Sequence, residues 1–392
     1  MGTSANHNAS HRFILSGGGT GGHIFPAVAI AKALQKRYPN AEFLFVGALG
    51  KMEMEKVPKE GFNIVGMPIE GLKRSITLRN VVVALKTLQS FWKAKKLLKQ
   101  FNPNAVIGTG GYASLPICFM SARNGYTTLL QEQNGFAGLT NRLVAGKAAH
   151  VCCGFPQMDK FFPSGKWSFT GNPVRQTIID VPGKDNEANR TASRAKFGLN
   201  PQMPVVFITG GSLGARTINE SVFADLLTLA KAGIQVIWQM GLPFAKSHSD
   251  KIQAIITANP SIYGDAGSPG LYHAAFIYDM DEAYLASDLV ISRAGAISIS
   301  EIAVVGRPSV LVPSPNVTDD HQTQNARVLS DMGAALLVSD KEAPERLISA
   351  TMSLLEDTKK RAQMQEKLTV MARPMATETI VNKLEECLQK RG

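Results

Sequence analysis

"LSGGGTGGHIFPAVAIAKAL", Leu15 to Leu34, is the stretch on which the fold turns. A short apolar run, "RFIL", leads into five glycines within six residues, Gly17 to Gly22. His23 and a proline follow, and then an apolar stripe with helical spacing. Strand, glycine loop and helix in that order begin a βαβ unit. The plan recurs as "PVVFIT", "GGSLGA" and "RTINESVFADLLTLAKAG". Between and after these, "AEFLFVG", "AVIGTG" and "TTLLQEQ" in the first half, and "IQVIWQMG", "LVISRAG" and "PSVLVPSP" in the second, read as strands alternating with helical patterns. The expectation is an α/β protein with two Rossmann-like, doubly wound parallel-sheet domains facing each other, and ligands at the carboxyl ends of the strands. A break near "FTGNPVRQTIID", Phe169 to Asp180, separates them, and "TETIVNKLEECLQKRG" adds a last helix.

The bulk properties agree with two domains in 392 residues. Apolar runs such as "NVVVAL" and "LPICFM" fall well short of the ~20 residues of a spanning helix. The start, "MGTSANHNASHR", is polar and has no apolar core of a signal peptide, so it reads as a loose tail. Cys118, Cys152, Cys153 and Cys387 have neither disulfide nor zinc spacing and read as reduced thiols of a cytosol. Charge is uneven. Residues 1–174 carry 20 Lys and Arg against 7 Asp and Glu, net +13, and the remainder carries 22 against 24, net −2. A basic half points to an anionic partner, or to a solvated basic face. No nucleic-acid recognition motif accompanies it, so nucleic acid is not expected.

Gly17, Gly19 and Gly22 fit G-x-G-x-x-G, but "LFVGALG" supplies no acid for a ribose, which disfavours NAD, and no Lys follows to make a Walker loop. Glycine loops at helix starts offer free N–H groups to phosphates. "GGGTGG", "GTGGY" (Gly108 to Tyr112) and "GGSLGA" therefore suggest anionic ligands, against the simpler role of permitting close packing. In "SRAGAISISEIAVVGRPSVLVP", Ser298 or Ser300 could cap a helix, and Glu301 near its start could bind ribose hydroxyls or simply favour the helix end. In "DDHQTQNARVL", Gln322 and Asn325 share a helix face and suit sugar hydroxyls, while Asp319 or Asp320 reads as a cap.

The ordered set "GGTGGHIFPA", "GTGGYASLP", "EQNGFAGLTNR", "GNPVR", "GGSLGA", "RAGAISISE" and "HQTQNA" resembles the MurG family of peptidoglycan glycosyltransferases, from about Phe13 to the C-terminus. These enzymes move N-acetylglucosamine from UDP-N-acetylglucosamine (UDP-GlcNAc) to lipid I (undecaprenyl-pyrophosphoryl-MurNAc-pentapeptide), making lipid II. The resemblance implies a GT-B fold with a deep cleft between the domains, inverting transfer, and peripheral attachment to the cytoplasmic face of the bacterial inner membrane. It implies an acceptor and membrane-association domain, 1–174 plus 375–392, and a UDP-GlcNAc domain, 175–374. The implied donor site comprises Thr20, Gly21, Gly22, Asn134, Arg175, Ser212, Ile277, Ala296, Ile297, Ser298, Ile299, Ser300, Glu301 and Gln322. Arg175 and the Ser212 loop suit the diphosphate, Glu301 the ribose, Gln322 the GlcNAc hydroxyls and Ile277 the uracil. The acceptor diphosphate is assigned to Gly18, Gly19, Gly110, Gly111 and Tyr112. Other cell-wall and division proteins are implied partners.

Three departures from the family pattern stand out: Gln131 where "HEQN" is usual, Ala294 where "SGA" is usual, and "GLKRSI" in place of a glycine-rich spacing. Glutamine takes no proton, so residue 131 is not a base. His23 is the first candidate for a base, or a helix-start residue bonded to backbone, and Glu132 is the second. No metal motif is present, so no obligatory cofactor is expected, with a divalent cation such as Mg2+ at most stimulating. Thr77 to Phe101, an apolar helix with four Lys after residue 92, reads as interfacial or as an ordinary packed helix. The rival readings are a UDP-GlcNAc 2-epimerase-like isomerase, another lipid glycosyltransferase and a scaffold without activity.

Overall fold

The computed structural model describes residues 11–71, 79–260, 270–317 and 320–390. The polar start up to residue 10, most of "GLKRSI" and Asp319 lie outside the described residues. The chain divides into two compact units, Met1–Pro173 with Met375–Gly392, and Val174–Pro374.

The first unit holds β1 (Arg12–Ser16), β2 (Glu42–Ala48), β3 (Ile64–Met67), β4 (Ala105–Gly108), β5 (Thr127–Glu132), β6 (His150–Cys153) and β7 (Trp167–Phe169). They form one parallel sheet in the order β3-β2-β1-β4-β5-β6-β7. Strand alternation splits the core between the two faces. Ile14, Val46, Val106 and Leu130 pack on one side with Ala94, Leu98 and Ile117 from helices. Phe13, Leu15, Ile107 and Leu129 pack on the other with Ile24, Ile30 and Leu34. Burial on both faces explains why these strands read as continuous apolar runs. The C-terminal helix, Ala376–Gln389, adds Ile380, Val381 and Leu384 to this second face. Arg37 pins it through Glu378 at 2.7 Å and Glu385 at 2.9 Å.

The second unit holds β8 (Val205–Thr209), β9 (Gln235–Gln239), β10 (Leu271–Ala274), β11 (Leu289–Ser292), β12 (Ser309–Leu311) and β13 (Leu336–Leu337), parallel in the order β10-β9-β8-β11-β12-β13. In each unit the strand order reverses at the strand that precedes a glycine loop, β1 or β8. "GGGTGG" and "GGSLGA" therefore stand at the switch points where open α/β sheets bind ligands. All four cysteines are free, and Cys118, Cys152 and Cys153 are buried.

Candidate active site

In the first unit the glycine loop is built over a carboxylate that sequence reading missed. Glu53, fully buried, accepts from the Gly19 N–H at 3.1 Å and the Ala48 N–H at 3.0 Å. A Cβ on Gly18 would lie 2.2 Å from Glu53 Oε1, so only glycine fits there. Gly18 and Gly19 are the residues expected at the acceptor diphosphate. One N–H is already spent, and the charge beneath has the wrong sign. Tyr112 shares that field, its hydroxyl pushed up by burial and then by Glu53 and Glu70. Thr20 is the residue before the helix Gly21–Arg37, and its carbonyl accepts from the His23 and Ile24 N–H groups. The N–H groups of Gly21 and Gly22 belong to the open first turn, which has no internal partner for them.

His23, half-buried, stands in that turn. Its Nδ1 lies 2.9 Å from the Thr109 carbonyl and 3.1 Å from Gln133 Oε1. Gly110 and Gly111 follow Thr109, and a side chain at Gly110 would meet the His23 ring at 3.1 Å. The "GTGGY" loop, with Gly110 and Gly111 expected at the acceptor diphosphate, thus packs directly against the histidine. Glu132 is buried, with Oε1 accepting from the Asn134 N–H at 3.1 Å and Oε2 from the Gly138 N–H and Asn141 Nδ2, both at 2.9 Å. Every oxygen is committed, so Glu132 staples the 134–141 loop and is a poor base.

In the second unit Arg175 Nη2 lies 3.1 Å from Glu301 Oε1. The arginine side chain is 56% exposed and the glutamate's 8%. Tyr284, buried, donates its hydroxyl to Glu301 Oε2 at 3.3 Å. Burial raises the Glu301 carboxyl, and Arg175 and Tyr284 oppose that rise. Glu301 is in the second turn of the helix Ala296–Val305, not its first. No side chain caps this helix. Ser300 instead donates to the Ala296 carbonyl at 2.9 Å. The N–H groups of Ala296, Ile297 and Ser298 form the open first turn. Ile299 departs from its assignment, since it is buried and its N–H is bonded to the Gly295 carbonyl.

The "GGSLGA" loop differs from its counterpart. Gly211, at φ +83°, has open space where a Cβ would be, and its N–H goes to the neutral Thr209 hydroxyl at 3.2 Å. Ser212 is exposed beside it. Gln239, another residue the sequence did not single out, ties the site together. It donates to Thr209 Oγ1 at 3.1 Å and the Gly211 carbonyl at 3.0 Å, and accepts from the Ile277 N–H at 2.9 Å. Ile277, itself buried, is thus held by its own N–H. Gln322 Oε1 accepts from the Ser314 N–H at 2.9 Å, which turns its amide donors toward other work. Asn325 is buried and holds the Ala294 carbonyl at 3.2 Å, so it does not share the expected sugar role. Asp320 has a left-handed backbone and makes no side-chain cap. Among the described residues no group of three His, Cys, Asp or Glu is arranged as metal ligands.

Residues 13–153 match the glycosyltransferase family 28 N-terminal domain and residues 205–380 the family 28 C-terminal domain. A Cytophaga hutchinsonii protein named UDP-N-acetylglucosamine–N-acetylmuramyl-(pentapeptide) pyrophosphoryl-undecaprenol N-acetylglucosamine transferase is 45% identical over 96% of this chain and 97% of its own length. The chain belongs to the MurG family. A crystal structure of MurG from Acinetobacter baumannii is 28% identical, with a TM-score of 0.72, over 96% of this chain and 100% of that one. The fold is accordingly GT-B, two Rossmann-like units of parallel sheet. The Neisseria meningitidis UDP-GlcNAc 2-epimerase shares the architecture at TM-score 0.62 but only 14% identity, a likeness of fold alone. Of the three positions singled out in the sequence, Gln131 has the most structural consequence. It is fully buried at the end of β5, two residues before the side chain that touches His23.

Proposed function

We propose that this chain transfers N-acetylglucosamine from UDP-GlcNAc to lipid I, forming lipid II, by a single inverting displacement. The observation that carries this reading is the match to the named transferase along nearly the full length of both chains. The residues are suited to the chemistry. Arg175 is exposed enough to reach a diphosphate, and the open Gly211–Ser212 turn offers N–H groups to it. Glu301 is fixed by Tyr284 and Arg175 as an acceptor for ribose hydroxyls. Gln322 serves the sugar, and Ile277 the uracil. His23 takes the proton from the acceptor hydroxyl as the anomeric C–O bond to UDP breaks and the electron pair leaves with the diphosphate.

A lipid acceptor requires a membrane surface. The helix Arg79–Phe101 buries Ala94 and Leu98 and exposes Leu85, Leu88 and Trp92 at 62%, 58% and 77%. Lys95, Lys96 and Lys99 are also exposed. The helix thus packs on one face and offers an aromatic and basic face suited to an anionic bilayer interface. Among the described residues no helix is long and apolar enough to cross a membrane. Attachment in this reading is peripheral, at the cytoplasmic face.

The test is transfer of radiolabelled GlcNAc from UDP-GlcNAc to a short-chain lipid I analogue, wild type beside His23→Ala and Glu301→Ala. Product from wild type, a kcat lowered about 10²–10⁴-fold by His23→Ala, and a raised donor KM for Glu301→Ala support the reading. Absence of product with UDP-GlcNAc bound refutes it.

A further inference from the structure

Behind His23 lies a chain of buried side-chain amides that neither the family pattern nor the transfer chemistry explains. Asn172 Nδ2 donates to the Gln133 backbone carbonyl at 3.0 Å. Gln131 Nε2 donates to Asn172 Oδ1 at 2.8 Å. Gln133 Nε2 donates to Gln131 Oε1 and, at 2.7 Å, to the Thr109 carbonyl. Gln133 Oε1 then faces His23 Nδ1 at 3.1 Å. All three amides are buried.

The direction of this chain is not free. Backbone carbonyls can only accept, and they anchor it twice, at Gln133 O and at Thr109 O. Turning Asn172 over would set its oxygen against the Gln133 carbonyl, and turning Gln133 over would set its oxygen against Thr109. With both ends fixed, Gln131 can lie only one way. His23 Nδ1 therefore meets two oxygens, the Thr109 carbonyl and Gln133 Oε1, and must carry a hydrogen whether the ring is neutral or charged.

We infer that Asn172, Gln131 and Gln133 act as positioning residues that, together with the Thr109 carbonyl, hold His23 in the Nδ1–H tautomer, so that Nε2 is the atom that accepts the proton. The inference rests on His23 being the base. In the transfer step the acceptor hydroxyl proton goes to Nε2, the new C–O bond forms, and the old pair departs with UDP. The resulting imidazolium keeps its Nδ1–H on the two carbonyl oxygens and later returns the Nε2 proton to solvent. No proton travels along the amides. The chain also gives Gln131 a meaning. The position needs one donor, to Asn172, and one acceptor, from Gln133. A neutral histidine would supply both, as glutamine does.

The first test is 15N NMR of full-length protein labelled at histidine, with the His23 signals assigned by their loss in His23→Gln. The expected pattern for the uncharged ring is a protonated Nδ1 and a bare Nε2. An uncharged ring with the hydrogen on Nε2 overturns the inference. The second test is Gln131→Met, which fills the space and offers neither donor nor acceptor. It is expected to loosen Gln133 and lower kcat about tenfold with donor KM unchanged, while the Thr109 carbonyl keeps the hydrogen on Nδ1, and Gln131→His is expected to restore most of the loss. Wild-type kcat in Gln131→Met overturns the inference. His23→Ala separates the two ideas, because full activity there removes the base reading itself whatever the tautomer.

Discussion

The two glycine loops share a plan and differ in what lies beneath them. Under "GGGTGG" a buried carboxylate, Glu53, takes the Gly19 N–H. Under "GGSLGA" a neutral hydroxyl, Thr209, takes the Gly211 N–H, and the space above Gly211 is open. A negative charge directly under a loop opposes a second negative charge above it, whereas a hydroxyl does not. The first loop is therefore unfavourable to an anion at Gly18 and Gly19, and the second is the better anion cradle. Counting glycines cannot separate the two cases. The group that holds the loop down can.

The largest effect expected from breaking this contrast is in the first unit. Glu53→Ala strands the buried Ala48 N–H, at about 1–3 kcal/mol, leaves the exposed Gly19 N–H to water and empties a fully buried site. The first unit should lose roughly 2–4 kcal/mol of stability, seen as faster hydrogen exchange in β1 and β2 with the second unit unchanged. Next, Glu301→Ala removes a partly desolvated, charge-assisted contact worth about 1.5–3 kcal/mol. Donor KM should rise about 10–100-fold, and an unchanged KM would remove Glu301 from the ribose. Thr209→Val should cost the second loop about 1 kcal/mol and weaken UDP binding several-fold by calorimetry. In the parent protein, UDP without sugar should slow exchange at residues 210–217 and leave 17–19 untouched. Protection of the first loop by UDP alone would erase the distinction.

The smallest effect separates the units by pH. In the first unit, burial and then Lys383 of the C-terminal helix push His150 from 6.5 down to about 4. A histidine held neutral in this way stabilises the fold above pH 6.5, and that contribution fades as pH falls toward 4. In the second unit burial would raise Asp185, but Arg190 and Arg307 outweigh it and bring it from 3.8 to about 2. Its contribution is present above pH 3.8 and is lost only on approach to 2. Exchange measured at pH 5 and pH 3 should show the C-terminal helix loosening first. Simultaneous loosening of both units would count against these local causes.

Much of the fold was legible because parallel strands buried on both faces leave apolar runs that need no partner to be recognised. "RFIL", "AEFLFVG", "TTLLQEQ" and "PVVFIT" each became a central strand. The helix signals were weaker guides. Ser298 and Ser300 look like caps, yet Gly295 begins the helix and Ser300 bonds back to Ala296. At the candidate sites, His23, Arg175 and Glu301 stood out because charged or titratable groups near glycine turns are conspicuous, and Gln322 because it is an amide at a helix start. Glu53, Gln133, Asn172, Gln239 and Tyr284 did not. Nothing in "KMEMEKVPKE" distinguishes Glu53 from the solvated glutamates around it.

The sequence by itself determined two parallel α/β units, the loops at their switch points and the family, because hydrophobic period and motif order are local properties of the chain. Only the tertiary structure decided which glutamate is buried under a loop, which amides line up behind His23, and which of two like loops faces a neutral group. Those outcomes depend on pairs such as Gly19 with Glu53, 34 residues apart, and Gln131 with Asn172, 41 apart. Hydrogen-bond direction and burial, which fix their chemistry, exist only once the chain has folded.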